Sequence, residues 1–288
     1  ARVSLEHEID ALDAALADSL KWQLYRQDSE TTQRTRELRS NNTRRDMIHN
    51  FDQRTYGLQG TAFKALATDG VQHEFAYGIN ASSSDSKEKR DGTSTNLATG
   101  AVSNLVGQDR FPVRDFPVSR TVKVGAYAQD EMRFADGRFS LIPGLRVDYY
   151  RLDPTLDNIF AEDNPGVAVE GMRQTSVSPK LGGVWRLNDR WSLYANYARG
   201  FRAPPYSDVN VGFTNLQSGY TVIANPDLKA ETSNGYELGL RFAGDAVYAG
   251  LTGYYNDYRD FIESFVLVSM PPQTPLMLSA GDTDSRMG

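Results

Sequence analysis

The sequence has no cysteine, and its 288 residues include only three histidines, His7, His49 and His73. Without cysteine the chain can form no disulfide, no thiolate zinc site and no thiol nucleophile. The three histidines are far apart in sequence, and none belongs to a His-Glu-x-x-His motif, so the sequence does not predict a histidine metal cage. These absences exclude disulfide-rich secreted domains, cysteine hydrolases and the common zinc folds.

Long apolar runs and an excess of positive charge are also missing. No stretch of about 18 apolar residues is present, which excludes a transmembrane helix, and residues 1–10 lack the apolar segment of a signal peptide. The formal net charge of −6 argues against a nucleic-acid partner, because phosphate binding requires clustered Lys and Arg. The basic run Gln33–Asp46 is therefore expected to form solvated strands or a loop. A membrane β-barrel escapes these hydropathy criteria, because its strands alternate lipid-facing and lumen-facing residues.

What the sequence does contain is a pattern with a period of two residues, in which apolar side chains recur at every second position. The segment "RWSLYANYARG", residues 190–200, places Trp191, Leu193, Ala195 and Tyr197 on one face. The same pattern recurs in Lys123–Phe134 and Ala246–Tyr258. Alternation of this kind is typical of β-strands, and we predict an all-β chain of about ten or eleven strands.

The connections between these strands differ in length in a regular way. Short turns rich in Asp, Asn and Gly are expected at Ala67–Gly70, Ala135–Arg138, Leu187–Arg190 and Ala243–Ala246. Much longer connections are expected at 82–117, 153–171 and 201–226 and beyond 264. In the second half of the chain short and long connections alternate, as do the periplasmic turns and extracellular loops of outer-membrane barrels. We therefore predict an antiparallel transmembrane β-barrel.

Aromatic residues near the strand ends support this interpretation. Tyr149, Trp191, Tyr197 and Tyr255 are examples, and an interfacial aromatic girdle would place them there. The alternative is ordinary β-propensity, since Tyr and Trp favour strands in any protein. The sequence contains no Gly-x-Ser-x-Gly motif and no P-loop, and its paired carboxylates fit a polar barrel lumen. We predict that the protein is not an enzyme.

Three segments carry a resemblance to a known family. They are "VGAYAQDEMRFADGRFSLIPGLRVDYY" (124–150), "SPKLGGVWRLNDRWSLYANYARGFRAP" (178–204) and "NPDLKAETSNGYELGLRF" (225–242). They resemble the TonB-dependent outer-membrane receptors, and within them the haem and haemoglobin receptor branch. The paired markers of that branch are a Phe-Arg-Ala-Pro box at Phe201–Pro204 and an Asn-Pro-Asp-Leu box at Asn225–Leu228. The resemblance covers about residues 121–264 and is fainter upstream.

This resemblance implies a 22-stranded barrel around an amino-terminal plug domain, in the outer membrane of a Gram-negative bacterium. Residues 1–288 are then expected to be one fragment of the barrel domain, without the plug. The implied function is the import of haem, either free or taken from haemoglobin or a carrier protein. The implied partners are the TonB complex, acting through the plug, and outer-membrane lipid. Two alternatives stay open: a ferric-siderophore receptor, and a soluble β-rich binding module.

The resemblance also implies a site in the loop between the two boxes. In haem receptors of this kind that loop supplies an axial ligand to the iron, often His, and here it offers Tyr220 and Tyr206 instead. Phenolate is an established ligand of haem iron. We prefer Tyr220, which follows Ser218-Gly219 in mid-segment, because Tyr206 follows Pro204-Pro205 and is expected to pack near the barrel wall. The boxes are expected to anchor the loop through Phe201, Arg202, Ala203, Pro204, Asn225, Pro226, Asp227 and Leu228.

Overall fold

The structure is a computed structural model that describes residues 1–215, 220–225, 227–269, 275–282 and 286–287, with side chains for 1–213, 221–222, 224–225 and 227–263. The strands are β1 (Arg2–Ile9), β2 (Ser19–Arg39), β3 (Thr43–Thr68), β4 (Val71–Asn96), β5 (Val102–Ser103), β6 (Leu105–Val106), β7 (Asp109–Arg110), β8 (Val118–Phe134), β9 (Phe139–Thr155), β10 (Met172–Arg186), β11 (Trp191–Arg202), β12 (Gly212–Asn215), β13 (Tyr220–Ile223), β14 (Glu231–Ala243), β15 (Tyr248–Arg259), β16 (Phe261–Ser269), β17 (Pro275–Asp282) and β18 (Arg286–Met287). Two short helices, α1 (Asn158–Asp163) and α2 (Tyr206–Asn210), and a 3-10 turn, Ala135–Gly137, complete the elements of the described residues.

Ten long strands form one continuous antiparallel sheet. Its order is β1-β2-β3-β4-β8-β9-β10-β11-β14-β15, followed by the short β18, so each long strand pairs with the next long strand along the chain. Within the described residues the sheet does not close on itself. A smaller sheet has the order β12-β13-β17-β16. Its strands β12 and β13 come from the connection between β11 and β14, and β16 and β17 follow β15. The all-β antiparallel barrel wall that the alternation predicts is confirmed.

The two faces of the sheet differ in chemistry. On β9 the side chains of Leu145, Val147 and Tyr149 are exposed on the outer face. Between them Arg146 and Asp148 point to the inner face, where Arg146 Nε donates to Asp148 Oδ2 at 2.7 Å. An apolar exposed face opposite a polar, internally paired face is the pattern of a strand between lipid and a wet lumen.

No helix within the described part of the chain is long and apolar enough to cross a membrane.

Aromatic rings border the apolar outer face at two levels. At one level the rings of Tyr197, Tyr236 and Tyr255 follow one another across three strands, with centroids 5.2 and 6.4 Å apart. At the other level Trp191 contacts Phe242 at 4.9 Å. Roughly 20 Å of strand separates Trp191 from Tyr197 at about 3.3 Å per residue, close to the ~25 Å apolar band of outer-membrane barrels. The two levels mark the edges of the lipid-facing band.

The four short turns lie where they were expected, at one end of the sheet. One prediction is wrong: the connection placed at 82–117 begins only after Asn96, because β4 continues to that residue and pairs with β3 throughout. The Ser-rich and charged stretch Ser82–Asn96 has no apolar alternation, because this part of the hairpin projects beyond the lipid-facing band. Both of its faces are therefore polar, and the sequence pattern gave no sign of a strand.

Candidate functional site

The long connection between β11 and β14 begins and ends at an ion pair. Arg202 and Glu231 lie opposite each other on the two strands, and Arg202 Nη1 donates to both Glu231 oxygens at 3.1 and 3.2 Å. Glu231 Oε1 also accepts the backbone N–H of Ile262 at 2.8 Å. The Arg202 side chain is 60% exposed, whereas that of Glu231 is 11% exposed. Glu231 is therefore the buried member of the pair and joins three strands.

Beside this ion pair the two boxes meet in one apolar cluster, which we call the root cluster. Its buried members, with Ala203 and Tyr206 packed against them, are Tyr150, Leu152, Met172, Val209, Leu228 and Ile262. Ala203 comes from the first box and Leu228 from the second. The Tyr150 hydroxyl donates to the Pro204 carbonyl at 3.2 Å, which adds a polar contact from β9.

The second box forms a compact turn. The backbone N–H of Asp227 donates to Asn225 Oδ1 at 3.1 Å, and Leu228 N–H donates to the Asn225 carbonyl at 3.4 Å. Such an Asx-type bond lets Asn reverse the chain without a regular hairpin. Pro226 lies outside the described residues. The structure thus brings both boxes together, while their role in anchoring the loop stays a prediction.

Tyr206 packs inside the fold. Its ring meets Phe116 edge to face at 5.2 Å, and its hydroxyl hydrogen-bonds to Ser86. Burial raises the pKa of Tyr206, against the smaller opposing effect of the Ser86 hydrogen bond. Because the phenol oxygen already bonds to Ser86, it is not free to face an iron ion. In this position Tyr206 is poorly suited to ligate haem iron.

Tyr220 begins β13, which pairs with β12 in a small hairpin: Tyr220 lies opposite Asn215. The side chain of Tyr220 lies outside the described residues, so its role as a ligand stays a prediction. Contacts from neighbouring segments hold the β12 strand of this hairpin in place. Gly212 N–H donates to the Asp115 carbonyl at 2.7 Å, and the Arg90 guanidinium lies over the Phe213 ring at 5.0 Å.

A pocket of about 640 Å³ adjoins this hairpin, and we call it the arginine pocket. Its lining comes from the β2–β3 hairpin tip, β4, residues 106–111 and β12. The residues are Glu37, Arg39, Ser40, Asn41, Arg45, Met47, Arg90, Val106, Gly107, Gln108, Asp109, Phe111 and Phe213. The volume lies within the range of about 300–1,000 Å³ that is usual for small-molecule sites.

The arginine pocket combines positive charge with an apolar wall. Arg39 pairs with Glu37 at 2.8 Å, and Arg90 pairs with Asp115 at 2.6 Å. Arg45 forms no ion pair within the part of the chain whose side chains are described. On the apolar side Val106 and Phe111 form a buried cluster with Met47 packed against it. The pocket can therefore take a ligand that is anionic at one edge and apolar over its surface.

Sequence reasoning missed this pocket. Its residues come from separate stretches of the chain, and Arg90 falls in the segment that was predicted to be a loop. The local signal in the sequence is the basic run Gln33–Asp46, whose composition predicts solvated strands or a loop. That run does form the β2–β3 hairpin tip, as expected, but Arg39 and Arg45 also line the pocket.

Comparison with known proteins agrees with the fold. The sequence matches the family model described as TonB dependent receptor-like, beta-barrel, over residues 1–286. It is 38% identical over 86 residues to the iron-regulated outer membrane virulence protein of Vibrio cholerae serotype O1, covering 30% of this chain and 13% of that protein. It is 29% identical over 181 residues to the ferrienterobactin receptor of Escherichia coli K12, covering 60% of this chain and 21% of that receptor. It is 34% identical over 130 residues to hemoglobin-haptoglobin utilization protein B of Neisseria meningitidis serogroup C, covering 44% of this chain and 16% of that protein.

Solved structures share the fold at low sequence identity. The Serratia marcescens hemophore receptor HasR, in complex with its hemophore HasA and heme, superposes with a TM-score of 0.70 at 17% identity, covering 97% of this chain and 43% of HasR. The copper transporter OprC superposes with a TM-score of 0.69 at 20% identity, covering 96% and 41%. The chain thus spans about two fifths of these receptors and a smaller share of the curated relatives. This chain belongs to the β-barrel family of TonB-dependent receptors, which lie in the outer membrane of Gram-negative bacteria.

Proposed function

We propose that the receptor to which this chain belongs binds haem at its extracellular side and imports it. The observation that carries the proposal is the arginine pocket beside the β12–β13 hairpin. Haem has a flat apolar ring and two propionates, and the pocket offers an apolar wall with Met47 and Phe111 next to the guanidinium group of Arg45. Charge-assisted hydrogen bonds between guanidinium and carboxylate are among the stronger polar contacts in proteins.

Iron ligation is assigned in this proposal to Tyr220. Phenolate is a hard, anionic donor that suits ferric iron, the form expected outside the cell. Tyr206, the other candidate, is held in the fold by Phe116 and Ser86 with a raised pKa. The site performs binding and release of haem. Energy for release would come from the TonB complex through the plug domain that the family implies.

Two relatives lend support through what their names say of them. One is a hemoglobin-haptoglobin utilization protein, and the other is a hemophore receptor solved with heme and its hemophore. By analogy a haem-carrying protein is the proposed donor.

The ligand assignment is tested by titrating ferric haem into the purified full-length receptor and recording its absorption spectrum. We expect Tyr220→Ala to shift and weaken the Soret band of the bound ferric haem, because the iron loses its phenolate ligand. Tyr206→Phe is the matched control. It is expected to keep that band, because the hydroxyl it removes bonds to Ser86 and, in this proposal, does not ligate the iron. An unchanged spectrum in Tyr220→Ala, or loss of the band in Tyr206→Phe, would contradict the assignment.

A second cargo, a ferric siderophore, is favoured by the three arginines of the pocket and by similarity to the ferrienterobactin receptor. An anionic ferric catecholate would also pair with guanidinium groups. Growth of an iron-starved strain that carries only this receptor separates the two cargoes. Growth on haemin supports the proposal, whereas growth on ferric enterobactin alone overturns it.

A further inference from the structure

Behind the arginine pocket lies a group of side chains that the proposed function does not use. His49 on β3, Glu88 on β4 and Asp115 in the segment before β8 each offer one ligand atom, and these atoms lie within 4.8 Å of one another. Roughly 55 Å of strand separates Val71 from Glu88 at about 3.3 Å per residue, so the group lies beyond the lipid-facing band.

Glu88 is the buried centre of this group. Its side chain is 2% exposed. Glu88 Oε2 accepts the backbone N–H of Asp115 at 3.0 Å, and its main-chain carbonyl accepts Nη1 of Arg114 at 2.5 Å. The other carboxylate oxygen, Oε1, makes no hydrogen bond among the described residues, although His49 Nε2 lies 2.9 Å away. His49 is therefore the nearest polar partner of this buried oxygen, ahead of Arg90 Nε at 3.9 Å.

We propose that His49, Glu88 and Asp115 form a binding site for a divalent transition-metal ion, with Zn²⁺ as the reference ion. Imidazole nitrogen and carboxylate oxygen are both zinc ligands, with bonds of about 2.0–2.2 Å. Two ligand atoms 2.9 Å apart on bonds of about 2.1 Å subtend an angle of roughly 90° at the ion. That angle is common in five- and six-coordinate sites, in which water completes the shell.

The charges around the group favour a dication. Carboxyl groups outnumber guanidinium groups around it: Glu88, Asp115, Asp157 and Asp163 stand against Arg90 and Arg114. Arg90 Nη2 already lies 2.6 Å from Asp115 Oδ1, and Arg90 Nε lies 3.9 Å from Glu88 Oε1. A carboxylate has two oxygens and several lone pairs, so it can take a guanidinium and a metal together.

The His49 side chain is 45% exposed, which leaves a path for the ion from solvent. The bound ion would join β3, β4 and the segment whose Asp115 carbonyl holds Gly212, at the start of the β12–β13 hairpin.

The test measures Zn²⁺ alone, without haem, so its outcome does not depend on the proposed cargo. The full-length receptor is purified in detergent, stripped with a chelator and titrated with Zn²⁺ by calorimetry, and the bound metal is counted by mass spectrometry. We expect His49→Gln and Glu88→Gln each to remove one zinc site or weaken it at least about tenfold. Both substitutions keep the side-chain size close to the original.

His73→Gln is the matched control. His73 Nδ1 pairs with Asp130 Oδ2 at 2.7 Å, but no third ligand joins that pair within the described side chains. This variant is expected to keep the full zinc count. Assembly of every variant is checked by its heat-dependent mobility on a gel. The proposal is overturned if wild-type receptor binds no stoichiometric zinc, if both His49→Gln and Glu88→Gln retain it, or if His73→Gln loses the same site.

Discussion

At the scale of single residues, Glu231 is the carboxylate that holds the root of the long connection. It pairs with Arg202 across the strands and accepts the N–H of Ile262 at 2.8 Å. The two contacts differ in the free energy that they contribute to folding. An ion pair whose arginine is 60% exposed contributes about 0–1 kcal/mol, whereas leaving a buried N–H without an acceptor costs about 1–3 kcal/mol.

We therefore predict that Glu231→Ala loosens the loop root more than Arg202→Ala does. Amide hydrogen exchange at Ile262, measured by mass spectrometry on the full-length receptor, should become at least about tenfold faster in Glu231→Ala. In Arg202→Ala it should change little. Equal acceleration in both variants would mean that the ion pair, and not the buried hydrogen bond, dominates.

At the scale of the strand, tyrosine rings on the inner face cover glycines on the neighbouring strand. Tyr194 lies directly opposite Gly239, and a side chain added at Gly239 would overlap its ring. The Tyr194 hydroxyl donates to Glu237 at 3.0 Å and shares a hydrogen bond with Thr252 at 2.7 Å. The same arrangement recurs in two other pairs, Tyr25 with Gly57 and Tyr127 with Gly78.

A methyl group at Gly239 should therefore destabilise the barrel wall. In Gly239→Ala the Tyr194 ring must move and give up both hydroxyl contacts, at a cost of about 1–3 kcal/mol. We expect the full-length variant to convert from the folded to the unfolded gel band at a lower temperature. Gly253→Ala is the control, because no atom lies within 4 Å of its added carbon. A similar loss of heat resistance in both variants would contradict this explanation.

At the scale of the whole molecule, the sheet has two unlike ends. The short turns, such as Ala67–Gly70, lie at one end, and the β2–β3 hairpin tip, residues 97–117 and the β12–β13 hairpin lie at the other. In outer-membrane barrels short turns face the periplasm and long loops face the outside. The arginine pocket and the His49–Glu88–Asp115 group then both face the medium from which a cargo arrives.

This orientation can be measured by labelling, since the chain has no cysteine of its own. We predict that Thr99→Cys, in the connection after β4, reacts with a large membrane-impermeant maleimide on intact cells expressing the full-length receptor. Asp69→Cys, in the turn between β3 and β4, should react only after the outer membrane is permeabilised. Both positions are exposed, so accessibility on the molecule itself does not distinguish them. Labelling of Asp69→Cys on intact cells would show that the short turns, and not the long loops, face the medium.

The sequence by itself determined the strands, their two faces, the short turns and the family. A period of two residues is a local property, and the lipid-facing band imposes it wherever a strand crosses. The same reasoning failed for Ser82–Asn96, where no alternating apolar side chains mark the strand. The two boxes were recognisable as motifs, but their meeting through Ala203 and Leu228 required the fold.

Only the tertiary structure brought the residues of the candidate sites together. His49, Glu88 and Asp115 are distant in sequence, and they come together because the register of the β3–β4 hairpin sets His49 opposite Arg90. The segment before β8 then folds back onto β4, with Arg90 N–H donating to the Val113 carbonyl at 3.0 Å. Residue composition suggested that three scattered histidines bind no metal. Strand pairing sets Glu88 beside His49, and pairing over such distances is not encoded in any short stretch of sequence.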